Sequence, residues 1–324
     1  MPEIIQLASA NLLSPLILSF ALGVFAALAR SDLSVPEAAA KALSIYLLFA
    51  IGFKGGAAVS AHGADATLIL SLLAGVALSL AIPFVAFALL RTITGLSTLD
   101  AAAVAAHYGS ISIVTFVAGS SVLTAQGIPF EGYMVAVAAA MEAPAILSAL
   151  WLATRGTGQR IDSGLWREIL LYGAIVLLIG AFVIGLTTGQ KGLDDISSFI
   201  VAPFKGVLCL FLLDMGLVAG RGLRGSRGIL TPAVLAFGFL MPLIGACLGL
   251  GAGLLLGLSP GGVAMLMILS ASASYIAVPA ALRVALPEAN PAISLTLALG
   301  ITFPFNLTLG IPLYLAVAQA VAGG

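Results

Sequence analysis

Long apolar runs alternate along this chain with short breaks of charge, Gly, Pro or Asn. Ten runs stand out, roughly 12–29, 36–60, 66–90, 99–125, 132–154, 168–188, 195–220, 229–257, 262–285 and 291–321. Each is near or above the ~20 residues that a helix needs to cross the hydrocarbon of a bilayer. Backbone groups in hydrocarbon must find partners within their own segment, so the runs predict helices. A barrel is excluded, because its strands are shorter and alternate apolar with polar positions.

Composition identifies the solvent. Of 324 residues, 61% are hydrophobic and 8% charged, against ~25% charged in a soluble domain, which rules out a water-soluble enzyme. A formal net charge of zero leaves no basic patch for nucleic acid. Cys209 and Cys247 both lie inside apolar runs and offer neither disulfide nor metal spacing. Met1 to Asn11 carries Glu3 and no Lys or Arg, so the positive start of a cleaved signal peptide is missing, and 12–29 is expected to remain as a span.

Lys and Arg orient the spans. Arg30, Lys41, Arg91, Arg155, Arg160, Arg167, Arg221, Arg224, Arg227 and Arg283 fall in one set of alternate connections, and Lys54 and Lys191 in the other. This bias places both termini on the outer, periplasmic side of a bacterial inner membrane, and the longest connection, 155–167, in the cytoplasm.

The chain also repeats itself. Gln126-Gly127-Ile128-Pro129 and Val284-Ala285-Leu286-Pro287 stand about half the chain apart, and Gly52 with Gly55-Gly56 matches Gly216 with Gly220. Five spans per half is an odd number, so the halves enter the membrane in opposite directions. The expected fold is therefore an all-α integral membrane protein of ten helices, a 5+5 inverted repeat. Its halves are 1–154 and 168–324, joined by 155–167.

In such folds the site lies where a helix from each half is interrupted near the midplane. The fourth run holds His107-Tyr108-Gly109-Ser110-Ile111-Ser112-Ile113-Val114-Thr115, and the ninth Ser270-Ala271-Ser272-Ala273-Ser274-Tyr275. Both predict broken helices. Exposed backbone N–H groups and half a positive charge at a helix start suit an anion, and freed carbonyls and hydroxyls suit Na⁺. Tyr108, Gly109, Ser110, Ser112, Ser272, Ser274 and Tyr275 are the candidate substrate residues. The competing reading of such small-residue runs is close helix packing.

Ionisable groups at membrane depth need a cavity or a partner. Glu142, ahead of Pro144, is a candidate Na⁺ or proton site or the partner of a polar neighbour. Thr115, Ser270 and Asn306 are further candidate ion ligands. His107 reads as a relay or a packing histidine, and Lys54 with Asp214 as an interhelical ion pair. No phosphate-binding loop, zinc spacing or nucleophile elbow occurs, so no catalytic residue, cofactor or ATP drive is expected. Coupling to an ion gradient remains. A passive anion channel is the alternative of another class, disfavoured by paired breaks without rings of pore charge.

Over nearly its whole length the sequence resembles the sodium-dependent bicarbonate transporters of the SbtA type. The matching pieces are Ile51-Gly52 with Gly55-Gly56, Tyr108 to Ser112, Gln126 to Glu131, Glu142-Ala143-Pro144-Ala145, Ser270 to Ser274, Leu282-Arg283, Leu286 to Pro291, and Pro312 to Leu315. The resemblance implies bicarbonate import coupled to Na⁺, elevator-like movement of a core against a gate domain, and a homotrimer. Ser112, Thr115, Ser272 and Ser274 match hydroxyl positions of the family's pattern. That pattern has an acid where this chain has Tyr275, Gly and Ser at Ile113 and Val114, and Asp at Glu142. Another small anion or an organic carboxylate, coupled to Na⁺ or H⁺, therefore stays open as cargo. The connection at 155–167 is shorter than the insert of many relatives, which leaves regulation by a PII-like protein open as well.

Overall fold

The computed structural model describes residues 13–63, 65–142, 144–157, 173–225, 231–275, 278–279, 281–282 and 286–323. Among them every regular element is helical. In order these are α1 (Pro15–Leu28), α2 (Glu37–His62), α3 (Ala66–Ile93), α4 (Thr98–Gly109), α5 (Ile113–Ala125), α6 (Met134–Ala140) and α7 (Pro144–Thr157). They continue with α8 (Gly173–Ile200), α9 (Phe204–Gly225), α10 (Pro232–Leu255), α11 (Pro260–Ala271) and α12 (Pro291–Ala322), the last containing π-helical turns at Thr296–Thr302 and Asn306–Gly310.

Eight segments among the described residues are long and apolar enough to cross a membrane, with α4–α5 and α6–α7 each counted as one. α1 and α11 are shorter apolar helices. Met1 to Asn11, most of the 155–167 connection, Arg227 and Arg283 fall outside the described residues.

One expected break is present, and the span after it starts later than expected. Runs 168–188 and 195–220 are expected to part at the polar stretch around Lys191, and the backbone does leave helical geometry there, at Gly189 (φ 61°, ψ −152°), which divides α8 into two helical segments. The second runs to Ile200, so the next helix starts at Phe204 and not at 195. The stretch is an exposed helical face, tied by Gln190 Nε2 donating to Asp194 at 2.8 Å, an i,i+4 pair. Lys205 consequently stands at the second position of α9 rather than deep in a span.

Glycines let two helix pairs approach to backbone contact. A Cβ at Gly52 would lie 2.5 Å from the Leu178 carbonyl oxygen and one at Gly56 1.9 Å from that of Phe182, so α2 lies on α8; from the other side, Gly185 meets the Phe53 carbonyl at 2.0 Å. The α9–α1 pair repeats the scheme, with Gly216 against the Phe20 carbonyl and Gly23 against that of Leu213, both at 2.1 Å. The matched glycines of the sequence thus make matched contacts.

The remaining helices gather around α4 and α11. α3 and α7 cover α4, while α10 and α12 cover α11. Two carboxylates latch the connections onto the starts of these central helices. Glu131 accepts from the Ser259 amide at 2.8 Å and from its hydroxyl at 3.2 Å, ahead of α11. Asp100, in the first turn of α4, accepts from the Asn290 amide at 2.9 Å. Acids at helix N-termini also complement the helix dipole.

Candidate functional site

α4 stops at Gly109 because Ser110 (φ −89°, ψ 150°) and Ser112 (φ −101°, ψ 109°) are extended. α5 then restarts with the Ser112 hydroxyl accepting from the Thr115 amide at 3.2 Å, a serine N-cap. α11 stops in the same way, with Ser272 extended at φ −82°, ψ 163°. Gly109 has no room for a side chain, since a Cβ would stand 2.3 Å from Pro83 Cγ and 2.8 Å from Ala145 Cβ.

Breaking a buried helix strands backbone groups, at about 1–3 kcal/mol each if unpaired. Here the two breaks satisfy each other. The Ser274 amide donates to the His107 carbonyl at 2.7 Å, and His107 Nδ1 donates to the Ser274 carbonyl at 2.6 Å. The Ser112 amide donates to Ser272 Oγ at 2.9 Å, whose own proton goes to the Leu269 carbonyl at 2.7 Å. Asn306 Nδ2 donates to the freed Ala271 carbonyl at 2.8 Å, while its Oδ1 accepts from Tyr314 at 2.9 Å.

Between the breaks lies a cavity of about 10 Å³, roughly the room of one water. Its polar wall is Ser112, Ser274, Tyr275 and Glu142, and its apolar wall Leu48, Ile111 and Ile113. Leu48 belongs to α2, so the cavity sits on the seam between the α1, α2, α8, α9 group and the helices around α4 and α11. Glu142 is 4% exposed, and its Oε2 has no hydrogen-bond partner. The carboxylate projects from the α6–α7 interruption, which Ser79 stitches: Ser79 Oγ donates to the Met141 carbonyl at 2.7 Å and accepts from the Ala145 amide at 3.1 Å.

Ser110 Oγ, Ser270 Oγ and His107 Nε2 are also buried without partners. The Tyr275 hydroxyl faces Ser112 without reaching hydrogen-bond geometry. Folded proteins satisfy nearly all buried polar atoms; of these unpaired ones, Glu142 Oε2 and the Tyr275 hydroxyl belong to residues that line the cavity, while Ser110, Ser270 and His107 lie in the interruptions outside its lining. Among the described residues no Lys or Arg lines the cavity. Positive potential for an anion must come from the start of α5 or from a co-bound cation.

Of the residues expected from sequence, Ser112, Ser274, Tyr275 and Glu142 meet around this cavity. Tyr108 turns away from it, with its hydroxyl 2.6 Å from Thr302 Oγ1 and its ring edge-on to Phe237 at 4.8 Å. Both ends of the Asn306 amide are engaged, so it serves as a cap for α11. Thr115 is buried within the first turns of α5. The Lys54–Asp214 ion pair does not form. The Lys54 ammonium lies 3.9 Å from the centroid of the Phe204 ring, and Asp214 is 6% exposed within α9. Neither lines the cavity. Ser79 and Leu48 were not anticipated; Ser79 announced itself only as a hydroxyl in the middle of an apolar run.

A search of curated proteins finds no match to this chain. A family model described as the Na⁺-dependent bicarbonate transporter superfamily matches residues 15–319. That range contains both interruptions, Glu142 and the two latched connections, and the chain belongs to this superfamily of membrane transporters.

Proposed function

We propose that the protein is a secondary carrier that imports bicarbonate with Na⁺ across a bacterial inner membrane by alternating access. The observation that carries this reading is the unpaired Glu142 carboxylate oxygen in a small cavity that also presents Ser112 and Ser274. An anion beside an ionised Glu142 is repelled, by about 4 kcal/mol at 4 Å and an effective dielectric of 20. A cation on Glu142 removes the penalty, so anion and cation bind together. The cavity as it stands has room for about one water, so loading requires its walls to part along the seam. Bicarbonate then takes the Ser112, Ser274 and Gly109–Ser110 side of the site, and Na⁺ takes Glu142 with nearby hydroxyls, Ser270 and Thr115 being candidates. Because the unpaired oxygen would also accept a proton, H⁺ coupling is the second reading.

The mirrored contacts of Gly23 and Gly185, and of Gly52 and Gly216, support two inverted five-span halves, 1–154 and 168–324. The position of the cavity on a seam supports movement of the α4 and α11 group against α1, α2, α8 and α9. The trimer and the outward termini belong to the same proposal.

Reciprocal binding tests it. Saturating Na⁺ should tighten bicarbonate binding to the detergent-solubilised protein, and saturating bicarbonate should tighten Na⁺ binding by the same factor. Independent affinities, unchanged by the other ligand, would overturn the coupling.

A further inference from the structure

His107 and Ser274 exchange two hydrogen bonds across the two halves of the chain. The Ser274 carbonyl can only accept, so the His107 proton resides on Nδ1, and the Ser274 amide returns a bond to the His107 carbonyl. Both residues are buried. Ser274 lines the cavity and His107 does not. His107 Nε2, the nitrogen a proton relay would need, has no partner among the described residues.

We propose that His107 is a positioning residue: through Nδ1–H it clamps the extended 272–274 segment against the end of α4, aiming the Ser274 side chain into the cavity. The two interruptions then present one rigid site rather than two that open independently. A small polar site gains affinity from groups held in place before the ligand arrives. Nothing passes through Nε2, whose lone pair is simply left over from the tautomer that the clamp requires. The clamp is a statement about structure. Its link to affinity rests on the transport reading above.

The two nitrogens can be separated by substitution, because an Asn side chain carries its amide at the position of Nδ1 and a Gln side chain carries it near Nε2. Two readouts keep the clamp distinct from transport. The first is hydrogen exchange of the peptide covering Ser272 to Tyr275 in the purified protein, which needs no cargo. His107→Gln should speed it about fivefold to tenfold, the loss of roughly one hydrogen bond, and His107→Asn should stay close to wild type. The second is bicarbonate uptake into proteoliposomes, where His107→Gln should raise KM about fivefold to tenfold with little change in kcat, and His107→Asn should recover most of the affinity. The reverse order, with Gln active and Asn impaired, would overturn the clamp in favour of a relay through Nε2. Equal exchange in both variants and wild type would overturn it too. If wild-type protein takes up no bicarbonate while the exchange pattern holds, the transport reading fails and the clamp stands.

Discussion

The backbone amide of Ser112 donates to the hydroxyl of Ser272 at 2.9 Å, so a residue that caps one restarted helix is held by the residue that ends another. Ser274 lines the cavity and Ser272 does not, which separates their roles. Ser272→Ala removes an acceptor and a donor from a buried site and should destabilise by about 1–3 kcal/mol, seen as a lower melting temperature. Ser274→Ala loses only the long 3.5 Å bond that its hydroxyl accepts from the Val278 amide, so it should cost less stability than Ser272→Ala and weaken bicarbonate binding severalfold. Equal melting temperatures for Ser272→Ala and wild type would contradict the stitch.

Glu142→Gln keeps the shape of the side chain and removes its charge. Na⁺ affinity should fall tenfold or more, in line with a lost charge-assisted contact of about 1.5–3 kcal/mol, and bicarbonate binding should lose its Na⁺ dependence. Calorimetric titration of Na⁺ measures the first effect. Unaltered Na⁺ binding would place the cation elsewhere.

Gly109→Ala drives a methyl into Pro83 and Ala145, an overpacking worth about 1–3 kcal/mol. Gly251→Ala, inside α10 with open space around it, should be neutral or slightly stabilising. Thermal melting of the two variants side by side reads the contrast.

Glu131→Gln weakens the latch on Ser259 and the N-terminus of α11. A loss of about 0.5–2 kcal/mol is expected, typical of an N-terminal cap, with bicarbonate affinity unchanged because Glu131 lies away from the cavity. A change in affinity without a change in melting would contradict this assignment.

Much of the fold was written in the apolar runs, since lipid demands continuous helices and leaves few alternatives. The interruptions were legible because Ser-Ile-Ser and Ser-Ala-Ser place small hydroxyl residues where hydrocarbon favours none. Glu142 was visible as a carboxylate at membrane depth, but whether it met a partner or a cavity depended on how the helices pack. The same holds for Asn306, which caps Ala271, and for Lys54, which found Phe204 instead of Asp214. Side-chain direction also decided Tyr108: a residue one step from a break faces whichever way the helix turns, and here it turns to Phe237. The break expected after residue 188 is there, at Gly189, but the polar residues that follow it form a short helical segment to Ile200, because a polar helical face and a loop carry the same residues.

The central claim is that one site at the two breaks moves bicarbonate only when a cation neutralises Glu142. Uptake of labelled bicarbonate into proteoliposomes, with and without an inward Na⁺ gradient, in wild type and Glu142→Gln, tests it most directly. Uptake that requires the gradient in wild type and no longer responds to it in Glu142→Gln is the predicted result. Wild-type uptake indifferent to Na⁺, or full Na⁺ dependence in Glu142→Gln, would contradict it.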